Sequence, residues 1–300
     1  MSDTVPGFVC GVAGGFGGAV GAILTNPLEV VKTRLQSSDQ SKNTVKTLDG
    51  KRRDFLIKNL LKITKDEGVK ALYKGLPVTL IGTIPARFIY FGAYNTTKSS
   101  FGTNEKHVHM LSAMSASVSQ IIGTSPFWVV RTKQQLHRSQ SRAAYTVAQC
   151  IRDIYKQNGP LGFWRGSSAS FFGMSETVCF FLLYESCKKK FINHGDGADS
   201  HLTSLDGRKI FKLFTCTAIC KMIASSLFYP HEVVRTRLRE ETSKTRYRGF
   251  FQTLGQVYKE EGLSGWYSGM RVHLLRQVPN SAIVLCVVES TIFLYKKYIL

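Results

Sequence analysis

The chain has 300 residues, with 40 Lys plus Arg against 20 Asp plus Glu. A net charge of +20 excludes a mainly cationic partner and leaves nucleic acid, acidic lipid or an anionic solute. The length allows one large unit or two ordinary domains. A mean hydropathy near zero reads as soluble on average, but the apolar residues are clustered.

In chain order, Thr4 to Leu28 comes first, 25 residues without Asp, Glu, Lys or Arg and long enough to cross a hydrocarbon core as a helix. It carries Gly11, Gly14, Gly15, Gly17, Gly18 and Gly21, small residues that let helices approach closely in lipid. Pro27 sits two-thirds along this helix and is expected to kink it by removing one backbone hydrogen bond. A polar loop with a short amphipathic helix near 54–66 follows, and Gly75 opens a second long helix holding Arg87. Met110 to Val130 is a second charge-free stretch of 21 residues, with Pro126 inside it. Further apolar stretches near 75–97, 166–187, 210–234 and 270–295 are interrupted by Arg87, Glu176, Lys221 and Arg276. Isolated charges in such segments usually face a bundle interior or a watery cavity.

The chain repeats itself. PLEVVKTR at 27–34, PFWVVRTK at 126–133 and PHEVVRTR at 230–237 are spaced by 99 and 104 residues. Each is followed by a second block: EGVKALYKG at 67–75, NGPLGFWRG at 158–166 and EGLSGWYSG at 261–269. A repeated unit of this kind often cannot bury its apolar face alone. The pattern predicts an all-α membrane protein with six transmembrane helices in three tandem repeats, 1–103, 104–200 and 201–300. Each repeat has a kinking proline (Pro27, Pro126, Pro230) and a short surface helix, near 54–66, 145–157 and 250–260. The stretch around 192–207 reads as a solvated loop, and His107 with His109 as a solvated helix start. The seven cysteines show no metal or Cys-x-x-Cys spacing and are expected to be reduced, buried thiols. The amino-terminal MSDTVPGF is unlike a transit peptide, so any organellar address is expected to be internal. No nucleophile elbow, Walker loop, zinc spacing or carboxylate dyad is present in a convincing context, so no enzyme activity or cofactor is expected.

Three copies of Pro-x-Asp/Glu-x-x-Lys/Arg-x-Lys/Arg, each followed by the glycine-aromatic block, resemble the mitochondrial carrier family across essentially the whole chain. PFWVVRTK, with Trp128 for the acid, resembles the branch that carries pyrimidine nucleotides, nicotinamide and flavin dinucleotides, and folate. IPARFIYFGAY, GMSETVCFFLLYES, YPHEVVRTRLREE and RQVPNSAIVL are most similar to its pyrimidine nucleotide carriers. The resemblance implies a pseudo-threefold inner-membrane exchanger of pyrimidine (deoxy)nucleotides working by alternating access. NAD, FAD, folate or coenzyme A is the alternative cargo, and a basic nucleic-acid-binding protein the remote one. It implies termini in the intermembrane space and surface helices in the matrix, a monomer, no nucleic-acid partner, and bound cardiolipin at the YKG, WRG and YSG ends.

By position, the resemblance implies a matrix gate in which Glu29 meets Arg131, Glu232 meets Lys32, and Trp128 faces Arg235 as a cation–π contact. Gln36 and Gln135 brace it, and Arg239 stands at the third brace position. The cytoplasmic gate is expected at Asn95 and Lys98, Glu185 and Lys188, and Glu289, with Asn95 and Ile292 breaking the charge pattern. Counted from each initial Gly, Arg276, Glu176 and Arg87 lie within about 8 Å in height, so they can share one site, and two guanidinium forks suit phosphate. The implied contact positions are Arg276, Gly82, and Phe172 with Gly173. Phe172 or Met174 is expected to stack a base. Glu176 either bonds an exocyclic amine or, preferably, pairs with Arg87. Lys221 either extends the cationic cavity or snorkels as a structural residue.

Overall fold

A computed structural model describes residues 7–38, 54–101, 106–137, 145–191, 207–240, 247 and 249–298. Among them all regular structure is helical. The long helices are α1 (Gly7–Gln36), α3 (Leu76–Phe101), α4 (Lys106–Leu136), α6 (Ser167–Phe191), α7 (Gly207–Glu240) and α9 (Met270–Tyr298). Short helices lie between the members of each pair: α2 (Asp54–Glu67), α5 (Val147–Asn158) and α8 (Phe250–Trp266). The expected repeat boundaries near 103 and 200, the surrounding polar loop, Cys10, and the side chains of His107, His109 and Lys188 lie outside the described residues.

The short helices follow from local chemistry. Thr146 accepts from the Gln149 amide while the Gln149 side chain accepts from the Thr146 amide, a capping box that starts α5. Cys150 and Ile154, one turn apart, then pack into a cluster with Val78, Val129 and Val130. Similar clusters seat α2 through Ile63 and α8 through Phe250 and Leu254.

Pro27, Pro126 and Pro230 all lie inside their helices. Pro126 cannot bond to the carbonyl four residues back, and that carbonyl, Ile122 O, instead accepts from Trp164 Nε1 at 2.9 Å. The helix is thereby tied, one turn before Pro126, to the aromatic that precedes α6.

The three repeats close on one another head to tail. The most extensive helix contacts are α3 on α4, α6 on α7 and α9 on α1, each between neighbouring repeats. Gly75, Gly166 and Gly269 adopt φ of 79°, 80° and 79°, which favours glycine. A Cβ there would lie 3.1 Å from Arg131 O, 3.2 Å from Arg235 O and 3.2 Å from Lys32 O respectively, the same point in the next repeat each time. Of the α1 glycines, Gly17 and Gly21 do pack closely against α9, whereas Gly14, Gly15 and Gly18 have open space beside them. Close packing therefore accounts for one face of α1 and not for the whole run.

Residues 69–101 form the one helix, among the described residues, that is apolar enough by composition alone to cross a membrane, and 22% of its apolar window is buried. In α4 the Ser, Thr and Gln residues of the charge-free stretch 110–130 dilute its apolar character.

The expectation of reduced, buried thiols holds for Cys150 and Cys220, which are free and buried, and is corrected for others. Cys187 on α6 and Cys216 on α7 are bonded, with Cα atoms 6.7 Å apart, Cys220 sulfur lies within 4.8 Å of both, and Cys286 is exposed. Tertiary packing joins residues 29 apart in a pattern that no local spacing encodes.

Candidate functional site

A cavity of about 420 Å³ lies between α4, α6 and α7. Ser117, Gln120, Thr124 and Trp128 line it from one face of α4, Gly173, Met174, Glu176 and Thr177 from α6, and Lys221 and His231 from α7. Arg131, Arg235, Arg239 and Glu232 complete the lining. Four basic side chains thus line the cavity with two carboxylates, Glu176 and Glu232. Glu176 accepts from Lys221 Nζ at 2.8 Å and from Ser225 Oγ at 2.7 Å, and the Lys221 ammonium lies 5.5 Å from the centroid of Phe180.

Beside the cavity, charged groups close the end of the bundle that carries the short helices. Lys32 pairs with Glu232, which also accepts from Arg235, and Arg131 pairs with Glu29. Arg276 Nη1 approaches the other Glu29 oxygen at 3.7 Å. These groups are mostly buried, the Lys32–Glu232 side chains being 8% and 13% exposed, so their attraction is weakly screened. Gln36 donates to Tyr229 OH at 2.8 Å and accepts from Thr236 at 2.8 Å, and Gln135 accepts from Thr33 at 3.0 Å. Both glutamines therefore join neighbouring repeats through hydroxyls. At the opposite end, no ion pair joins Asn95, Lys98, Glu185 and Glu289 among the described residues.

A second tier of pairs ties the proline-bearing helices to the short helices. Arg34 forks onto Glu67 at 2.5 and 3.0 Å, and Lys74 reaches the same carboxylate at 2.7 Å. Burial alone would push the Glu67 carboxyl up, but these hydrogen bonds and charges outweigh it and hold the group at about 2. Arg237 forks onto Glu261 with both bonds at 2.8 Å. In the remaining repeat the aligned residues are Lys133 and Asn158.

The family description "Mitochondrial carrier protein" matches residues 3–105, 106–195 and 206–298. The chain belongs to the mitochondrial carrier family. It is accordingly a multi-pass carrier of the mitochondrial inner membrane and not an enzyme. It is 43% identical to "Solute carrier family 25 member 36-A" of Danio rerio over 94% of this chain and 96% of that one. To human "Solute carrier family 25 member 33" it is 39% identical over 94% and 93%. To the Saccharomyces cerevisiae "Mitochondrial pyrimidine nucleotide transporter RIM2" it is 34% identical over 94% and 84%.

Several residues of this carrier do not stand where sequence reasoning puts them. Trp128 does not take Arg235. Arg131 lies over the indole instead, 5.2 Å from its centroid, while Arg235 turns to Glu232 on its own helix, because a carboxylate attracts a guanidinium more strongly than an aromatic face does. Glu176 does not pair with Arg87. Lys221 is its partner, and Arg87 is exposed, with Gly82 and Ala86 forming the buried face of α3. Gly82 packs against Phe127 and lies outside the cavity lining. Phe172 stacks on Phe250 of α8 with centroids 4.0 Å apart, so it faces away from the cavity that Gly173 and Met174 line. Arg276 also lies outside that lining, close to Glu29. Sequence reasoning missed Ser117, Gln120 and Thr124, whose spacing with Trp128 and Arg131 marks one polar helix face, as well as Thr177 and His231.

Proposed function

We propose that this carrier exchanges pyrimidine nucleotides between cytosol and matrix by alternating access. The observation that carries the reading is a cation-rich cavity in a chain 34% identical, over 94% of its length, to a protein named as a pyrimidine nucleotide transporter. Six long helices span the membrane with pseudo-threefold symmetry, a reading supported by the matching glycine contacts that run from each repeat to the next. Repeats closing on one another within one chain favour a monomer with one path. Cardiolipin is the lipid partner proposed for the ends before α3, α6 and α9.

The ion pairs of Glu29, Lys32, Arg131, Glu232 and Arg235, with Gln36 and Gln135 beside them, form the matrix gate. It is closed here, while Asn95, Lys98, Glu185, Lys188 and Glu289 form a weaker cytoplasmic gate. Substrate phosphate enters a cavity whose cations are already organised by carboxylates, and competition for those cations loosens the matrix pairs. Arg276, held by Glu29 at 3.7 Å, is near enough to follow that change. Polar groups on α4 and α6 read the base. A missing hydrogen bond in such a buried site costs about 1–3 kcal/mol, enough to separate bases by roughly fivefold to over a hundredfold.

The test is uptake by purified carrier in proteoliposomes loaded with one nucleotide. Uridine, cytidine or thymidine phosphates are expected to enter well and adenine nucleotides poorly. Uptake of ATP or NAD matching that of UTP and CTP would overturn the pyrimidine assignment.

A further inference from the structure

One basic side chain of the cavity lining, Arg239, forms no ion pair among the described residues. Lys221 is paired with Glu176, Arg131 with Glu29, and Arg235 with Glu232. Arg239 is 8% exposed and lines the same cavity, yet it forms no ion pair among the described residues. Its Nη2 donates to Ser170 Oγ at 3.3 Å, and its Nε has no hydrogen-bond partner. A buried guanidinium with an unused donor is costly unless an anion completes it.

Position in the repeat sharpens the point. The aligned residues, Gln36 and Gln135, are neutral and are hydrogen-bonded to hydroxyls of neighbouring repeats. Repeat 3 places a fixed charge at the same level. Its stem lies against Gly166, where an added Cβ would be 3.1 Å from Arg239 Cγ, so the side chain is held in place.

We propose that Arg239, with the Ser170 hydroxyl beside it, is a seat for a substrate phosphate at the floor of the cavity. The proposal rests on reading the cavity as the nucleotide site and adds the group that senses phosphate number. A planar guanidinium binds phosphate oxygens in a directed way, and the neighbouring like charges Arg131 and Arg235 favour an anion there. Longer phosphate chains reach the floor, and shorter ones leave Arg239 unfilled.

The experiment compares wild type with Arg239→Gln and Arg239→Lys in proteoliposomes, measuring KM for uridine mono-, di- and triphosphate and for the three adenosine phosphates. Substrate-induced thermal stabilisation in detergent reports binding independently of turnover. Arg239→Gln installs the residue that the other two repeats carry, so a purely bracing role predicts little change. The phosphate role predicts a triphosphate KM raised about tenfold or more, with the monophosphate KM nearly unmoved, as the loss of a charge-assisted bond requires. Arg239→Lys is expected to fall between the two. A triphosphate-to-monophosphate KM ratio within twofold of wild type in Arg239→Gln overturns the proposal, and where that variant does not fold, an unchanged ratio in Arg239→Lys does the same. Wild-type uptake of adenosine phosphates equal to that of uridine phosphates would defeat the pyrimidine reading alone, because the phosphate-number series is judged within each base.

Discussion

Repeat 2 differs from repeats 1 and 3 at three of the charged positions that hold the proline-bearing helices, although Arg131 matches Lys32 and Arg235. Where repeats 1 and 3 have Glu29 and Glu232, repeat 2 has Trp128, and where they have Arg34–Glu67 and Arg237–Glu261, it has Lys133 and Asn158. The consequence is structural as well as electrostatic. Arg34 donates from Nε to Gln135 O at 3.1 Å and Arg237 to Gln36 O at 2.6 Å, so each fork also binds the next repeat. A lysine has no such fork. Asn158 is left with an Arg165 contact at 3.4 Å and a buried Nδ2 without a partner. The ring of three is therefore held firmly at two junctions and loosely at the third, and the gate that alternating access must break is lighter by one pair.

The strongest way to break this comparison is to remove the acid from a firm junction. Glu261→Ala leaves Arg237, which is fully buried, without its anion, and is expected to lower stability by about 3–5 kcal/mol. Asn158→Ala removes one weak neutral contact and is expected to cost about 1 kcal/mol or less. Denaturant unfolding of the purified carrier in detergent measures both. Equal losses would mean that the second repeat is held as firmly as the third by contacts other than these.

The elements of this asymmetry differ in how far they were legible in the sequence. Repeats and short helices were legible because Pro and Gly act through the local backbone, as the shared φ of Gly75, Gly166 and Gly269 illustrates. Glu29 meets Arg131, and Glu232 meets Lys32, because aligned positions in adjacent repeats share a register. The cavity was less legible. Counting residues gives depth along a helix but not rotation about it, and successive residues differ by about 100°. Phe172 and Gly173 therefore face different partners, Phe250 and His231. Arg87 and Glu176 share a depth without sharing a site, while Lys221 reaches Glu176 from α7. The Cys187–Cys216 contact depends in the same way on how two helices from different repeats are turned.

The missing gate acid offers a sharper test. Trp128→Glu restores the carboxylate that repeats 1 and 3 carry at this position and gives Arg235 an acceptor in the neighbouring repeat. An added pair across the closed gate should stabilise that state selectively. Turnover is expected to fall roughly tenfold, equivalent to about 1.4 kcal/mol on the opening barrier, with a smaller change in KM. Exchange rates in proteoliposomes decide it, and an undiminished rate would show that the lighter gate of repeat 2 does not set the pace.

The smallest expected effect uses pH to separate repeat 1 from repeat 2. Glu67 is held at about 2 by Arg34 and Lys74 against an ordinary value of 4.5, so its folded-state value is depressed. A depressed carboxyl contributes stability that is fully present above its unfolded value and disappears as pH falls through its folded value. The contribution should therefore be complete above about 4.5 and lost by about 2. Glu67→Gln keeps the shape and one neutral acceptor but removes the charge, so it is expected to cost about 1 kcal/mol at neutral pH, the difference between charged and neutral hydrogen bonds. The stability curves of wild type and variant should then converge between pH 4.5 and 2. Asn158, which cannot titrate in this range, offers the control: Asn158→Ala should lie parallel to wild type throughout. Convergence of the Asn158→Ala curve over the same window, or a Glu67→Gln deficit that persists to pH 2, would remove the Arg34–Glu67–Lys74 cluster as the source of the difference between the two repeats.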